Sequence, residues 1–182
     1  VRLIAIVLAA GKARRFGSDK SSAQFRGEPL INHAIRAACA APVERVIVVC
    51  GSAMAMPLSD RAERLPIQSD GLSASLKAGI AAADDADGAF IFLGDMPLIP
   101  HHIASGLADL LGDNYAAIPR HNGQNGHPVL LSKRAFADIV HLSGDEGAGK
   151  LLRSRNDVAF LDTGEEAVLV DIDTIADIAR LE

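Results

Sequence analysis

Residues 8–20 read Leu8-Ala9-Ala10-Gly11-Lys12-Ala13-Arg14-Arg15-Phe16-Gly17-Ser18-Asp19-Lys20. The apolar run at 3–8 that leads into them has the composition of a buried strand. It empties into a loop with two glycines and four basic side chains. Gly11 and Gly17 can take backbone angles closed to other residues, so successive N–H groups can converge on an anion while Arg14, Arg15 and Lys20 supply charge. A basic glycine turn with no ligand is the alternative. Spacing disfavours two phosphate motifs. Five residues separate the glycines, and Lys20 does not adjoin Gly17 as a P-loop requires. No glycine stands two residues after Gly11, as the dinucleotide fingerprint needs.

Outward from this stretch, apolar runs alternate with helical patterns. Strands are expected near 3–8, 45–50, 89–93, 115–119, 128–131, 158–161 and 167–170. Leu30, Ile31, Ala34, Ile35 and Ala38 recur at helical spacing, as do Leu72, Leu76 and Ile80, and later Ile103, Leu107 and Leu110. The alternation predicts an α/β fold: a three-layer Rossmann-like sandwich with a mostly parallel sheet, forming a single domain over 1–182. Asn122, Gly123, Asn125 and Gly126 break the pattern and predict an antiparallel hairpin on one edge of the sheet.

With 49% hydrophobic and 23% charged residues, the chain has a globular and not a disordered composition. A net charge of −5 without a basic block, and the absence of Trp, weigh against a nucleic-acid surface; the cluster around Arg14 suits a small anion. Cys39 and Cys50 lie in apolar runs, which favours reduced, buried thiols and a cytoplasmic setting. No apolar run reaches the length of a membrane span, and the one near the start is too short and too soon followed by charge for a signal peptide.

Open α/β sheets bind ligands beyond the carboxyl ends of their strands, where Gly11, Asp70-Gly71, Gly94-Asp95 and Asp171 are expected. Asp95, following the run at 89–93, is placed either to hold Mg²⁺ against phosphates or to cap a helix starting near Pro100. Asp171 and Asp173 alternate onto one face; one can reach a metal while the other, or Thr174, caps the last helix, and the preference is for Asp171 as ligand and Asp173 as cap. The serine-rich helix start after Ser69 and Asp70 offers N–H and hydroxyl groups to a nucleotide, with Gly71 and Ser75 as contacts and Ser73 equally a plain cap. His127 is either a ligand contact or a turn residue. The other histidines show no metal-ligand spacing.

The loop at 8–20 resembles the L-A-A-G-x-S-x-R-M-G-x-x-K signature of MobA-like nucleotidyltransferases. Leu8, Ala9, Ala10, Gly11, Arg15, Gly17 and Lys20 match it, whereas Ala13 replaces Ser and Phe16 replaces Met. Gly94-Asp95-Met96-Pro97 resembles the family's metal-site segment, and the segment at 171–174 its D-I-D-T. The segments at 71–79, 126–128 and 144–148 resemble G-x-S-x-S-L-R-A-G, G-H-P and G-D-x-G-A-R, with Gly149 where the last has arginine and Lys150 following. The resemblance is closest to the molybdenum cofactor cytidylyltransferases.

That resemblance implies transfer of CMP from CTP to the terminal phosphate of molybdopterin, with pyrophosphate leaving. Lys20, Arg15 and Asp95 would be catalytic; Asp95 and Asp171 would hold Mg²⁺; Leu8, Ala9, Ala10, Gly11, Asp70, Gly71, Ser75 and His127 would bind substrate. A transient contact with a molybdoenzyme maturation partner is also implied. In the guanylyltransferase branch the loop reads L-A-G-G, so the methyl of Ala10 favours CTP over GTP. A methylene's worth of pocket discriminates only about 10- to 200-fold. Three rivals remain. One is a cytidylyltransferase of another phosphorylated metabolite. A glycosyltransferase using Asp171-x-Asp173 is the second, and a non-catalytic nucleotide sensor, suggested by Ala13, Gly149 and Ile175, is the third.

Overall fold

The computed structural model describes residues 1–10, 23–51, 59–68 and 71–182. In chain order the elements are β1 (Leu3–Ala9), β2 (Gln24–Phe25), β3 (Glu28–Pro29), α1 (Leu30–Ala40), β4 (Val46–Cys50), β5 (Ala62–Pro66), α2 (Leu72–Ala82), β6 (Gly88–Leu93), α3 (His102–Leu111), β7 (Ala116–His121), β8 (Gln124–Asn125), β9 (Val129–Ser132), α4 (Lys133–Ile139), α5 (Ala148–Leu152), β10 (Val158–Asp162) and α6 (Ile175–Leu181).

The main sheet runs β10-β7-β9-β6-β1-β4-β5, with β8 paired to β7. Strand β1 is parallel to both of its neighbours, β4 and β6. Its side chains alternate between two cores. Leu3, Ala5 and Val7 face α1 and α3, whereas Ile4, Ile6 and Leu8 face α2, α4 and α5. A strand covered on both faces reads as an unbroken apolar run, as 3–8 does. From β1 the chain crosses by α1 to β4, but after α2 it returns to β6 on the other side of β1. This reversal opens a crevice between the carboxyl ends of β1 and β6, where such sheets bind ligands.

The structure is the expected α/β sandwich, and it relocates three features. The hairpin expected on an edge lies inside the sheet: β9 pairs antiparallel with β6 and β7, and β10 forms the edge beyond them. Its turn is the two-residue Asn122-Gly123, both at positive φ, which matches the twist of the flanking strands. The strand expected at 167–170 is a 3-10 turn, Glu166–Leu169, in which Val168 is buried and its carbonyl accepts from the His127 N–H at 2.9 Å. Bonded within itself and to that loop, the segment needs no sheet partner. Finally, β5 is an additional edge strand beside β4 whose Glu63 and Arg64 hide it from an apolar-run criterion.

A third, small core of Phe25, Leu30 and Ile172, with Leu98, Ile178 and Leu181, docks α6 onto the β2–β3 hairpin. The segment at 166–172 thereby crosses the rim near β6. Gly126 permits this, because a Cβ there would lie 2.4 Å from the Val168 carbonyl oxygen. Gly126→Ala is therefore expected to destabilise the fold by about 1–3 kcal/mol through forced backbone displacement, measured as a lower urea midpoint at unchanged m-value.

Candidate active site

Where the crevice begins, the Gly94 N–H donates to the Leu8 carbonyl at 3.0 Å. A Cβ on Gly94 would stand 3.2 Å from both that oxygen and the Ala9 Cβ, so glycine lets the two strand ends close on each other. The next residue is Asp95, partly buried, with its Oδ1 shielded from solvent. It does not cap α3, which begins at His102 with no side-chain cap. Instead the Asp95 carbonyl accepts from the Ile172 N–H at 2.9 Å and ties the C-terminal segment to the crevice.

That bond, with Ile172 fully buried, turns both flanking carboxylates toward Asp95. One oxygen each from Asp95, Asp171 and Asp173 lie within 4.8 Å of one another. The cap of α6 is Thr174, not Asp173. The Thr174 hydroxyl accepts from the Asp177 N–H at 3.2 Å, and Asp177 Oδ2 accepts from the Thr174 N–H at 2.9 Å. The pair Thr174-x-x-Asp177 was legible as a capping box and would have released Asp173 to the cluster. A set of hard carboxylate oxygens suits a divalent cation of the Mg²⁺ or Mn²⁺ type, not a thiophilic metal.

His127 stands beside this cluster. Burial pushes its imidazole down to about 4, and the negative charge of Asp95 opposes that shift without overcoming it. The ring is therefore neutral near neutral pH.

The start of α2 forms the other part of the rim. Gly71 precedes the helix in extended conformation, and no side chain caps it. Ser73 does not act as the cap: its hydroxyl donates to the Gly144 carbonyl at 2.8 Å and its N–H to the same oxygen at 3.1 Å. Ser75 is buried on the inner face of α2, at 2% exposure. Lys150 is paired with Glu146. Ala10 and Leu72 pack against one core, linking the β1 end to the α2 start, whereas Ala9 packs on the opposite face. Leu8, Ala9, Ala10, Asp95, His127 and Asp171 thus gather around the crevice, Gly71 and Ser75 lie at the α2 start, and Gly11, Arg15, Lys20 and Asp70 lie outside the described residues.

A switch-point crevice with a carboxylate cluster is the layout of a nucleotide-binding α/β enzyme. Residues 5–158 match the MobA-like NTP transferase domain, and the chain belongs to that family. It is 29% identical over 189 residues to the purine catabolism protein PucB of Bacillus subtilis, covering 94% of this chain and 92% of that protein. A probable molybdenum cofactor guanylyltransferase of Pyrococcus horikoshii is 35% identical over 144 residues, 77% of this chain and 74% of its own. The molybdenum cofactor cytidylyltransferase of Escherichia coli is 29% identical over 109 residues, 60% and 55% of the two chains. Rv0371c of Mycobacterium tuberculosis, solved in complex with manganese, superposes with a TM-score of 0.83 at 26% identity, covering 100% of this chain and 98% of that one. Among the described residues no helix is long and apolar enough to cross a membrane.

The His127 shift has a measurable consequence. In the unfolded chain an exposed histidine titrates near 6.5, and in the folded chain His127 does so at about 4. Between these values the unfolded state holds the extra proton, so this contribution is complete above pH 6.5 and is lost as pH falls toward 4. The loss amounts to at most about 3 kcal/mol, and His127→Gln should flatten that part of the stability curve in urea denaturation between pH 4 and 7.

Proposed function

We propose that the protein transfers CMP from CTP to the terminal phosphate of molybdopterin, releasing pyrophosphate, with Mg²⁺ held by Asp95 and Asp171. The observation that carries this reading is the approach of Asp95, Asp171 and Asp173 to within 4.8 Å at the switch point of a MobA-like fold. Asp173 joins the candidate ligands because Thr174 takes the capping role. A bound divalent cation would neutralise phosphate charge at the crevice.

A phosphate monoester is largely ionised near neutrality, so the acceptor needs no general base. Catalysis then rests on positioning and on charge neutralisation. Lys20 and Arg15 are assigned to the transferring and leaving phosphates, and Leu8, Ala9, Ala10 and Gly11 to the nucleotide. Asp70, Gly71 and Ser75 complete the nucleoside side, and His127, neutral and beside Asp95, borders the acceptor side. The cytoplasm and a molybdoenzyme maturation partner are the setting this reaction would require.

CTP is preferred to GTP because the Ala10 methyl occupies the rim where the guanylyl branch has glycine. The name of the Pyrococcus relative favours GTP as the second reading. Thermal stabilisation by CTP, GTP, ATP and UTP with and without Mg²⁺ separates the two, since a ligand raises stability in proportion to ln(1 + [L]/Kd). Selective stabilisation by CTP with Mg²⁺ is expected. Ala10→Gly should move the preference toward GTP by no more than about 10- to 200-fold.

Pyrophosphate release from CTP and molybdopterin should fall by roughly 10²- to 10³-fold or more in Asp95→Ala and Lys20→Ala, with the thermal transition of the apoprotein retained. Near-normal release from either variant would overturn the assignment.

A further inference from the structure

A helix start usually presents free N–H groups that attract anions. At α2 one of these groups, the N–H of Ser73, is already taken. The Gly144 carbonyl takes the Ser73 N–H and hydroxyl together, and Ser73 is only 5% exposed. The turn that carries this carbonyl fits against the helix without spare room. A Cβ on Gly71 would meet the Gly144 oxygen at 2.4 Å and Asp145 Oδ1 at 3.2 Å, and one on Gly147 would meet Leu72 Cδ2 at 2.8 Å.

The turn is also braced within itself. Gly144 sits at φ +56°, a conformation glycine tolerates, and Glu146 Oε2 accepts from the Ser143 N–H at 2.9 Å and from its hydroxyl at 3.3 Å. The Gly144 carbonyl oxygen and the Asp145 carboxylate therefore border the α2 start, and both oppose the anion attraction of a bare helix end.

Resting on the proposed nucleotidyltransferase site, we propose that Ser73 is a positioning residue. It clamps the 143–147 turn over the start of α2 and closes that end of the rim to phosphate. The triphosphate is then confined to the β1–β6 crevice beside Asp95, and the α2 end is left to the nucleoside. Ser73 acts through the Gly144 carbonyl and touches no reacting atom.

The test uses the full chain, with CTP, GTP and inorganic tripolyphosphate as probes in the presence of Mg²⁺, read by calorimetric titration and hydrogen exchange. In the wild type, tripolyphosphate should bind without protecting the amides of 71–75. In Ser73→Ala the amides of 143–147 should exchange faster, tripolyphosphate should now protect 71–75, and the affinity ratio of CTP to tripolyphosphate should drop by about tenfold, the scale of one hydrogen bond. Ser73→Thr, which keeps the hydroxyl, should restore both readouts.

If Ser73→Ala does not fold, Asp145→Asn at an exposed position should shift the ratio in the same direction. Protection of 71–75 by tripolyphosphate in the wild type would overturn the inference. So would a Ser73→Ala protein whose thermal transition falls while the affinity ratio holds. A wild type that binds none of the three probes refutes the proposed function instead, and unaltered exchange of 143–147 in Ser73→Ala then overturns the clamp by itself.

Discussion

The contact between the ends of β1 and β6 is the constraint on which the site depends. Gly94 lies so close to Leu8 and Ala9 that a side chain there would press on backbone and on a methyl at once. Because glycine allows the approach, the two strands of the switch point finish side by side, and Asp95 emerges beside the end of β1. The rest of the crevice is assembled around this junction. The C-terminal segment is fastened to it through the Asp95 carbonyl, and the loop before β9 is fastened to that segment through Val168.

Two glycine contacts therefore serve one end. Gly94 brings two parallel strands together, and Gly126 lets the 166–169 turn lie on the loop that carries His127. The cores on either face of the sheet hold these strands, but they do not determine where the last segment crosses. That is set by Ile172 and the small third core with Phe25 and Leu30, which docks α6 against the β2–β3 hairpin. A third cluster of modest size thus governs the position of two of the three carboxylates.

What could be read in the sequence follows from how each element is stabilised. The run at 3–8 and those near 46–50 and 88–93 are buried on both faces, so burial alone writes them as apolar stretches. The stretch at 62–66 is a polar edge with one strand partner, and nothing in its composition separates it from a loop. Residues 167–170 are apolar for a different reason: Val168 fills a core from a 3-10 turn, and period and hydrophobicity cannot tell that turn from a short strand. The hairpin turn at Asn122-Gly123 was legible, but its place inside the sheet depends on β10 arriving later in the chain to cover β7. The place of Asp95 beyond a buried strand was legible in the apolar run before it. The choice of cap between Asp173 and Thr174 turned on the capping partner Asp177, three residues beyond, which selects Thr174 over the preferred Asp173.

Three carboxylates brought this close repel one another, and a fold selected only for stability would separate them. Here the backbone places the three residues side by side. Asp95 is fixed by the β1–β6 junction, Asp171 and Asp173 flank an Ile172 that is buried and hydrogen-bonded, and the Thr174–Asp177 box holds the next residue in place. In the sequence, four basic residues follow within ten positions of Ala10, the residue that follows β1 beside this cluster. Hard divalent cations are commonly held by one or two carboxylates together with phosphate oxygens, and the cluster at this switch point offers carboxylates of that kind.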